Sequence, residues 1–323
     1  MRFREATAAD IPAIAATFDG RNALPLAPRV REALPILLDR LIASPACALS
    51  VFEEDAQSGF RVVSCAGGVF LRQEVIDAYL AAPRPGLLSA ALAGLLDGEM
   101  PLLTQEEIRR ANSGEGLVLA VLPIAHGRID WTDPTMEQLR KLAPQAFVRA
   151  VGGYRLRAIY YEVFTDQVAD YLQAGGYRLL HDFSAQAGTG FLPQDCQPRM
   201  LRLTGDDLPP GAMSMASQMF NPPAARLGLT LAEQRVALRA LDGASDRAIA
   251  HALGLSTETV RSNWRSLYQR LAHVLEDTGS VQPGDDASRG LEKRRVAIEY
   301  LRQNLHELRP TLRAPTRDRP RAT

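Results

Sequence analysis

The chain has 323 residues, 46% of them hydrophobic and 23% charged, with 37 basic and 37 acidic side chains and no formal net charge. That length exceeds an ordinary single domain of roughly 100 to 200 residues, and that composition excludes a chain disordered throughout. No apolar run approaches the roughly 18 residues of a membrane span, and the opening MRFREATAAD lacks the basic-then-apolar order of a signal peptide, so a cytoplasmic protein without a membrane partner is expected.

The first 204 residues alternate strand-like and helix-like patterns. FRE (3 to 5) reads as a short strand, followed by amphipathic helices near 9–18 and 30–43, the second with Leu34, Leu37, Leu38, Leu41 and Ile42 on one side. CALSVFE and FRVVSCAGGVFL read as two strands joined by the polar turn EDAQSG. Residues 73–114 read as an insertion of short helices around PRPG, before an apolar strand at 116–125. A helix over 134–151, the strand YRLRAIYYEVF, a short helix over 166–174 stopped by Gly175-Gly176, and the strands YRLLHDF and RMLRLT complete the pattern. The expected architecture is an α/β domain built on one mixed sheet flanked by helices.

This order resembles the acyltransferase fold of the GNAT superfamily, with FREATAADIPAIAATF similar to its first strand and helix and YYEVFTDQVADYLQAGGYRLL to its late strand-helix-strand segment. The resemblance implies a GNAT-like fold over about residues 1–204. The family holds the acetyl-CoA pyrophosphate on a Gly-rich turn after its fourth strand; here the connection is AHGRIDWTDPT, with Gly127 alone. The family's late-helix tyrosine is also displaced, since Leu172 stands four residues before Gly176 and Tyr171 is one place off. Gly127 with Arg128 is a candidate anion site and Glu162 a candidate base, but neither has a partner at a useful spacing, and no Ser-His-Asp, Cys-His or paired-carboxylate arrangement stands out. No catalytic residue is assigned, and a sensor is expected rather than an enzyme.

Cys47, Cys65 and Cys196 share no CxxC spacing, which indicates reduced interior thiols, and the five histidines form no HxxxH or HExxH pair. No cofactor is expected, and no metal short of one assembled from distant segments.

Between 184 and 228 the composition shifts to Gly, Pro, Ser and Met, with a short helix expected at 213–219 and the linker placed at 205–228. From Arg226 onward seventeen Lys and Arg stand against twelve Asp and Glu, so the C-terminal third is the basic part.

There, LTLAEQRVALRALDGASDRAIAHALGLSTETVRSNWRSLYQRL (229–271) divides into three helices. Thr230 and Glu233 make a capping box, and the helix that follows presents Val236, Ala237, Ala240 and Leu241 on one side. Gly243 ends it. Ser245 caps a second helix, containing Ala248, Ile249, Ala252 and Leu253; Gly254 turns the chain, Leu255 plugs the corner, and Ser256 caps the third. On that third helix Val260, Trp264, Leu267 and Leu271 form one stripe, which makes Trp264 a core anchor rather than a base-stacking residue.

The segment resembles the LuxR-type helix-turn-helix at Leu229-Thr230, Glu233, Val236, Leu238, Gly243, Ser245, Ile249-Ala250, Leu253, Ser256, Thr259-Val260 and Arg270-Leu271, and departs from it at Asn263-Trp264. The resemblance implies that the third helix enters the major groove of double-stranded DNA, with Arg261, Ser262 and Arg265 at base edges. Thr257, Arg270 and Arg247 are expected at phosphates. Glu258 either accepts from a cytosine amine or favours the helix N-terminus electrostatically, the second being preferred.

A further amphipathic helix is expected over 291–308, with Lys293-Arg294-Arg295 either at phosphates or on a packing surface, and residues 310–323 read as a disordered basic tail; 229–309 form the DNA-binding domain. The expected whole is a homodimeric transcriptional regulator with a small-molecule effector, two half-sites doubling one helix's small footprint. An acyl-CoA-dependent N-acetyltransferase with an appended DNA-binding module is the rival, and a protein-interaction module a third reading.

Overall fold

A computed structural model describes residues 1–19, 24–56, 59–126, 132–209, 215–277 and 289–312. Contacts divide the chain into two units, Met1–Asn221 and Pro222–Thr323. The first contains β1 (Arg2–Glu5), α1 (Ile11–Thr17), α2 (Pro28–Glu32), α3 (Leu34–Ala43), β2 (Cys47–Ala56), β3 (Gly59–Leu71), α4 (Gln73–Ala81), α5 (Leu87–Leu96), α6 (Gln105–Ser113), β4 (Leu117–Ala125), α7 (Pro134–Val151), β5 (Leu156–Val163), α8 (Asp166–Ala174), β6 (Arg178–Asp182), β7 (Arg199–Thr204) and α9 (Met215–Phe220).

The strands form one mixed sheet in the order β1-β2-β3-β4-β5-β7-β6, antiparallel at every junction except β4–β5. Alternation along β2 separates two packed faces: Val51 joins the larger core with Ile14, Leu37 and Leu41 of α1 and α3, while Phe52 joins Met136 and Leu139 of α7 on the other face. The β2–β3 hairpin is held close by Gly67, where a Cβ would collide with the Ala48 carbonyl oxygen.

The single helix expected over 30–43 is instead two, because Pro35 has no N–H to donate and its ring would clash with the carbonyl four residues earlier, so α3 restarts at Leu34. Part of the expected linker belongs to the unit cores: Met219 and Phe220 are buried with the sheet, whereas Leu227 is buried in the second unit. The expected loop at 279–286, residues 213–214 of the short helix and residues 313–323 of the tail lie outside the described residues.

The second unit contains α10 (Leu231–Leu241), α11 (Asp246–Leu253), α12 (Thr257–Asp277) and α13 (Arg289–Gln303). The Thr230 amide donates to Glu233 Oε2 at 2.6 Å and the Glu233 amide to Thr230 Oγ1 at 3.2 Å, so α10 starts on the expected box. Ser245 and Ser256 each accept an amide three residues on, at 3.3 and 3.0 Å. Gly254 takes φ +64°, and the Leu255 amide reaches back to the Ala250 carbonyl at 2.8 Å, the six-to-one bond of a helix stop that needs a left-handed residue. On α11, Ile249 and Ala250 are buried, while Ala248 and Ala252 face outward. The expected last helix is shorter, since α13 ends at Gln303 and a 3₁₀ turn spans Leu305–Leu308.

Candidate functional site

On α12 the buried stripe consists of Val260, Trp264, Leu267, Leu271 and Val274. Trp264 is 3% exposed, which denies its ring to a base. Tyr268 stacks on it at 5.6 Å between centroids, and the Arg294 guanidinium of α13 lies 4.7 Å from the ring centroid on its way to Asp246 Oδ1 at 2.5 Å. Arg294 thus joins α13 to α11 and α12, and Arg295 pairs with Glu292 at 2.7 Å, so two of the three basic residues of that run are engaged within the unit.

Opposite the stripe, Arg261, Ser262 and Arg265 are exposed together, as the helical period requires. Arg247 of α11 is exposed, and Thr257 half-buried. Arg270, expected at a phosphate, is placed differently: it donates to the Leu227 and Gly228 carbonyls at 3.2 and 2.9 Å, with Nε 3.6 Å from Glu233 Oε1. Its guanidinium ties α12 to the segment leading into α10. Glu233 also accepts from Ser266, at 2.5 Å, so the N-terminal box of α10 doubles as a bracket on α12. On the far side of that leading segment the buried Glu307 carboxylate accepts the Arg226 and Leu227 amides at 2.8–2.9 Å. Helix α12 is therefore fixed by its stripe, by Arg270 and by Arg294, and its opposite face stays exposed.

The first unit offers a second feature. The β4–β5 pairing runs from Leu117↔Leu156 to Ala120↔Tyr160 and stops, although β4 continues to Ala125 and β5 to Val163. Each strand stays paired on its other edge, β4 to β3 and β5 to β7, so the sheet splits between them. Pro123 lies in the split part of β4, where the missing N–H removes a ladder donor. The split opens on a cleft of about 600 Å³ lined by Val121, Leu122 and Ile124 of β4, Tyr161 and Val163 of β5, Phe147 of α7 and Leu172 of α8, with His126, Arg140 and Asp195 among its polar groups. This volume and mostly apolar wall suit a small organic molecule. Tyr171 lines it and is 72% exposed. The candidate anion pair Gly127 and Arg128 lies outside the described residues.

Glu162 does not face this cleft. Strand alternation turns it to the opposite face, where it accepts the Gly86 and Leu87 amides at the start of α5. Tyr79 lies near it, with the His181 ring 6.1 Å from its own, and the Tyr79 hydroxyl and His181 Nε2 are both buried without a hydrogen-bond partner among the described residues. Burial pushes the Glu162 carboxyl up to about 7 against the pull of its two amides. Because this lies above the ordinary value of 4.5, the folded chain holds a proton here that the unfolded chain releases; the stabilisation is full below about pH 4.5 and is lost as pH rises through about 7, a swing of about 3 kcal/mol. Glu162→Gln is expected to flatten this dependence, raising the melting temperature at pH 8 relative to pH 5 compared with the parent chain. Melting curves that shift in parallel for the two proteins would remove the buried acid as the cause.

Among the described residues no helix is long and apolar enough to cross a membrane, and no three His, Cys, Asp or Glu side chains gather as a metal site. Cys65 is fully buried, and burial pushes its thiol up to about 12, which makes it unreactive.

No family model and no curated protein matches the sequence. Among solved structures the chain is similar to an uncharacterised protein from Bacillus halodurans, at 10% identity and TM-score 0.36, covering 68% of this chain and 89% of that one. It is also similar to an N-acetyltransferase from Staphylococcus aureus Mu50, at 11% identity and TM-score 0.35, covering 62% and 96%. A spermidine N-acetyltransferase from Vibrio cholerae is similar at 12% identity and TM-score 0.36, covering 64% and 98%.

Proposed function

We propose that this chain is a sequence-specific DNA-binding transcriptional regulator, whose second unit is a LuxR-type helix-turn-helix and whose first unit is a GNAT-like domain that senses a small molecule in the split of its sheet. The observation that carries the proposal is the outer face of α12. Arg261, Ser262 and Arg265 are exposed side by side on a helix whose inner face, start and preceding turn are all fixed within the unit. A rigid helix presenting planar guanidinium forks is what base-edge reading in the major groove requires. Arg247 and Thr257 are then placed for phosphates, and a homodimer on two half-sites supplies the rest of the affinity.

The test is retention of duplexes from a randomised library by the full-length protein, at about 50 mM and about 200 mM salt. Enrichment of one sequence, with affinity falling steeply with salt, is expected, and absence of any retained duplex at the lower salt would exclude the reading. Light scattering of the free and DNA-bound protein tests the dimer; a monomer in both states removes it.

The split between β4 and β5 favours a second reading, acyl-CoA-dependent N-acetyl transfer by the first unit, because an apolar cleft flanked by unpaired strand edges suits a long ligand carrying amide groups. Calorimetry with acetyl-CoA separates the two: stoichiometric tight binding promotes the enzyme, and no heat leaves the cleft to another effector.

A further inference from the structure

The two arginines assigned to base edges share one carboxylate. Arg261 Nη1 lies 3.8 Å from Glu258 Oε2, and Arg265 Nη2 donates to Glu258 Oε1. All three side chains are close to two-thirds exposed, at 63%, 64% and 65% for Arg261, Arg265 and Glu258. Arg261 is one turn from Glu258 and Arg265 two turns, a rise of about 10 Å that the long arginine spans by lying back along the helix. Pairs this exposed contribute only about 0–1 kcal/mol, so they do not lock the arginines, and a guanine edge outcompetes them.

The consequence lies in what becomes of Glu258 once the arginines leave. Its carboxylate then stands unpaired, facing the negative potential of the groove. An ionised carboxylate only accepts, and among major-groove edges its usual donor is the cytosine N4 amine. Where a cytosine amine is present the carboxylate is satisfied; where none is present, the same charge repels the DNA. Through both pairs the Glu258 carboxylate sits on the same exposed face as the two arginines.

We infer that Glu258 is a specificity-determining residue: it accepts from a cytosine amine beside the guanines taken by Arg261 and Arg265, and it penalises duplexes that lack that cytosine. This rests on the DNA-binding reading above.

The experiment selects duplexes from a randomised library with the full-length parent protein, Glu258→Ala and Glu258→Gln, then measures affinity for the selected duplex and for a shuffled one. For Glu258→Ala the shuffled duplex is expected to bind about tenfold tighter, the ratio of selected to shuffled affinity to fall by roughly 10- to 100-fold, and preference for cytosine at one position to disappear. Glu258→Gln is expected to replace that cytosine by adenine, since a carboxamide pairs bidentately with adenine N6 and N7. Melting temperatures should match the parent's, which separates this role from a structural one. If the parent selects a sequence and both variants select the same one with the same ratio, the inference is overturned while DNA binding stands. If the parent retains no duplex, the reading beneath it fails first.

Discussion

Arg261→Ala combined with Arg265→Ala is expected to abolish retention of the selected duplex while leaving the melting temperature unchanged. Each bidentate arginine–guanine pair discriminates by about 1–3 kcal/mol, so losing both weakens specific binding by roughly 30-fold to 10⁴-fold. Neither side chain supports the unit: both are about two-thirds exposed, and among the described residues both pair with Glu258 on this same face. Binding should also depend less steeply on salt, since two cations leave the interface. Undiminished retention by the double variant, in gel-shift titrations beside the parent, would show that α12 does not meet the DNA and would favour a protein-interaction surface.

Trp264→Ala is expected to cost about 3–5 kcal/mol, the range for removing a large buried aromatic. A unit of roughly 100 residues holds about 5–15 kcal/mol in all, so this one change removes much of its margin. The ring is the shared partner of Tyr268 and Arg294, and without it α12 loses its grip on both α11 and α13. Calorimetry should show the second unit's transition at lower temperature, or absent, with the first unit's transition unmoved and DNA retention lost. Trp264→Phe should be much milder, because it keeps an aromatic wall and removes an indole N–H that has no partner among the described residues. A transition unchanged by Trp264→Ala would mean that the helix is held by something other than its stripe.

The contrast between these two substitutions, one on each face of α12, follows from the spacing of residues along the helix and is legible in the sequence. So are the helix starts at Thr230, Ser245 and Ser256 and the stop at Gly254, because a cap or a left-handed turn is decided within about four residues. Pro35 is a visible signal too, although the apolar period of 30–43 runs straight through it and suggests one helix where there are two. Arg270 escapes a reading by spacing for a different reason. As a basic residue off the buried stripe it looks available, but its acceptors are the carbonyls of Leu227 and Gly228, about which the period of α12 says nothing. Glu162 is visible as a carboxylate on a strand, yet its face and its partner Gly86, 76 residues away, are not.

Which segments are helix or strand, where most of them begin, and which side of α12 is buried are therefore legible in the sequence, since their signals, the apolar period, the caps and the turn residues, lie among near neighbours. The tertiary structure was needed for the rest: that β4 and β5 part after Ala120 and Tyr160 to leave a cleft, that Glu162 turns away from it, and that Arg270 braces the fold while Glu258 gathers Arg261 and Arg265. The physical reason is that a strand's partner, a buried charge's acceptor and the choice among rival acceptors are set by what packing brings alongside, and local periodicity carries no record of that.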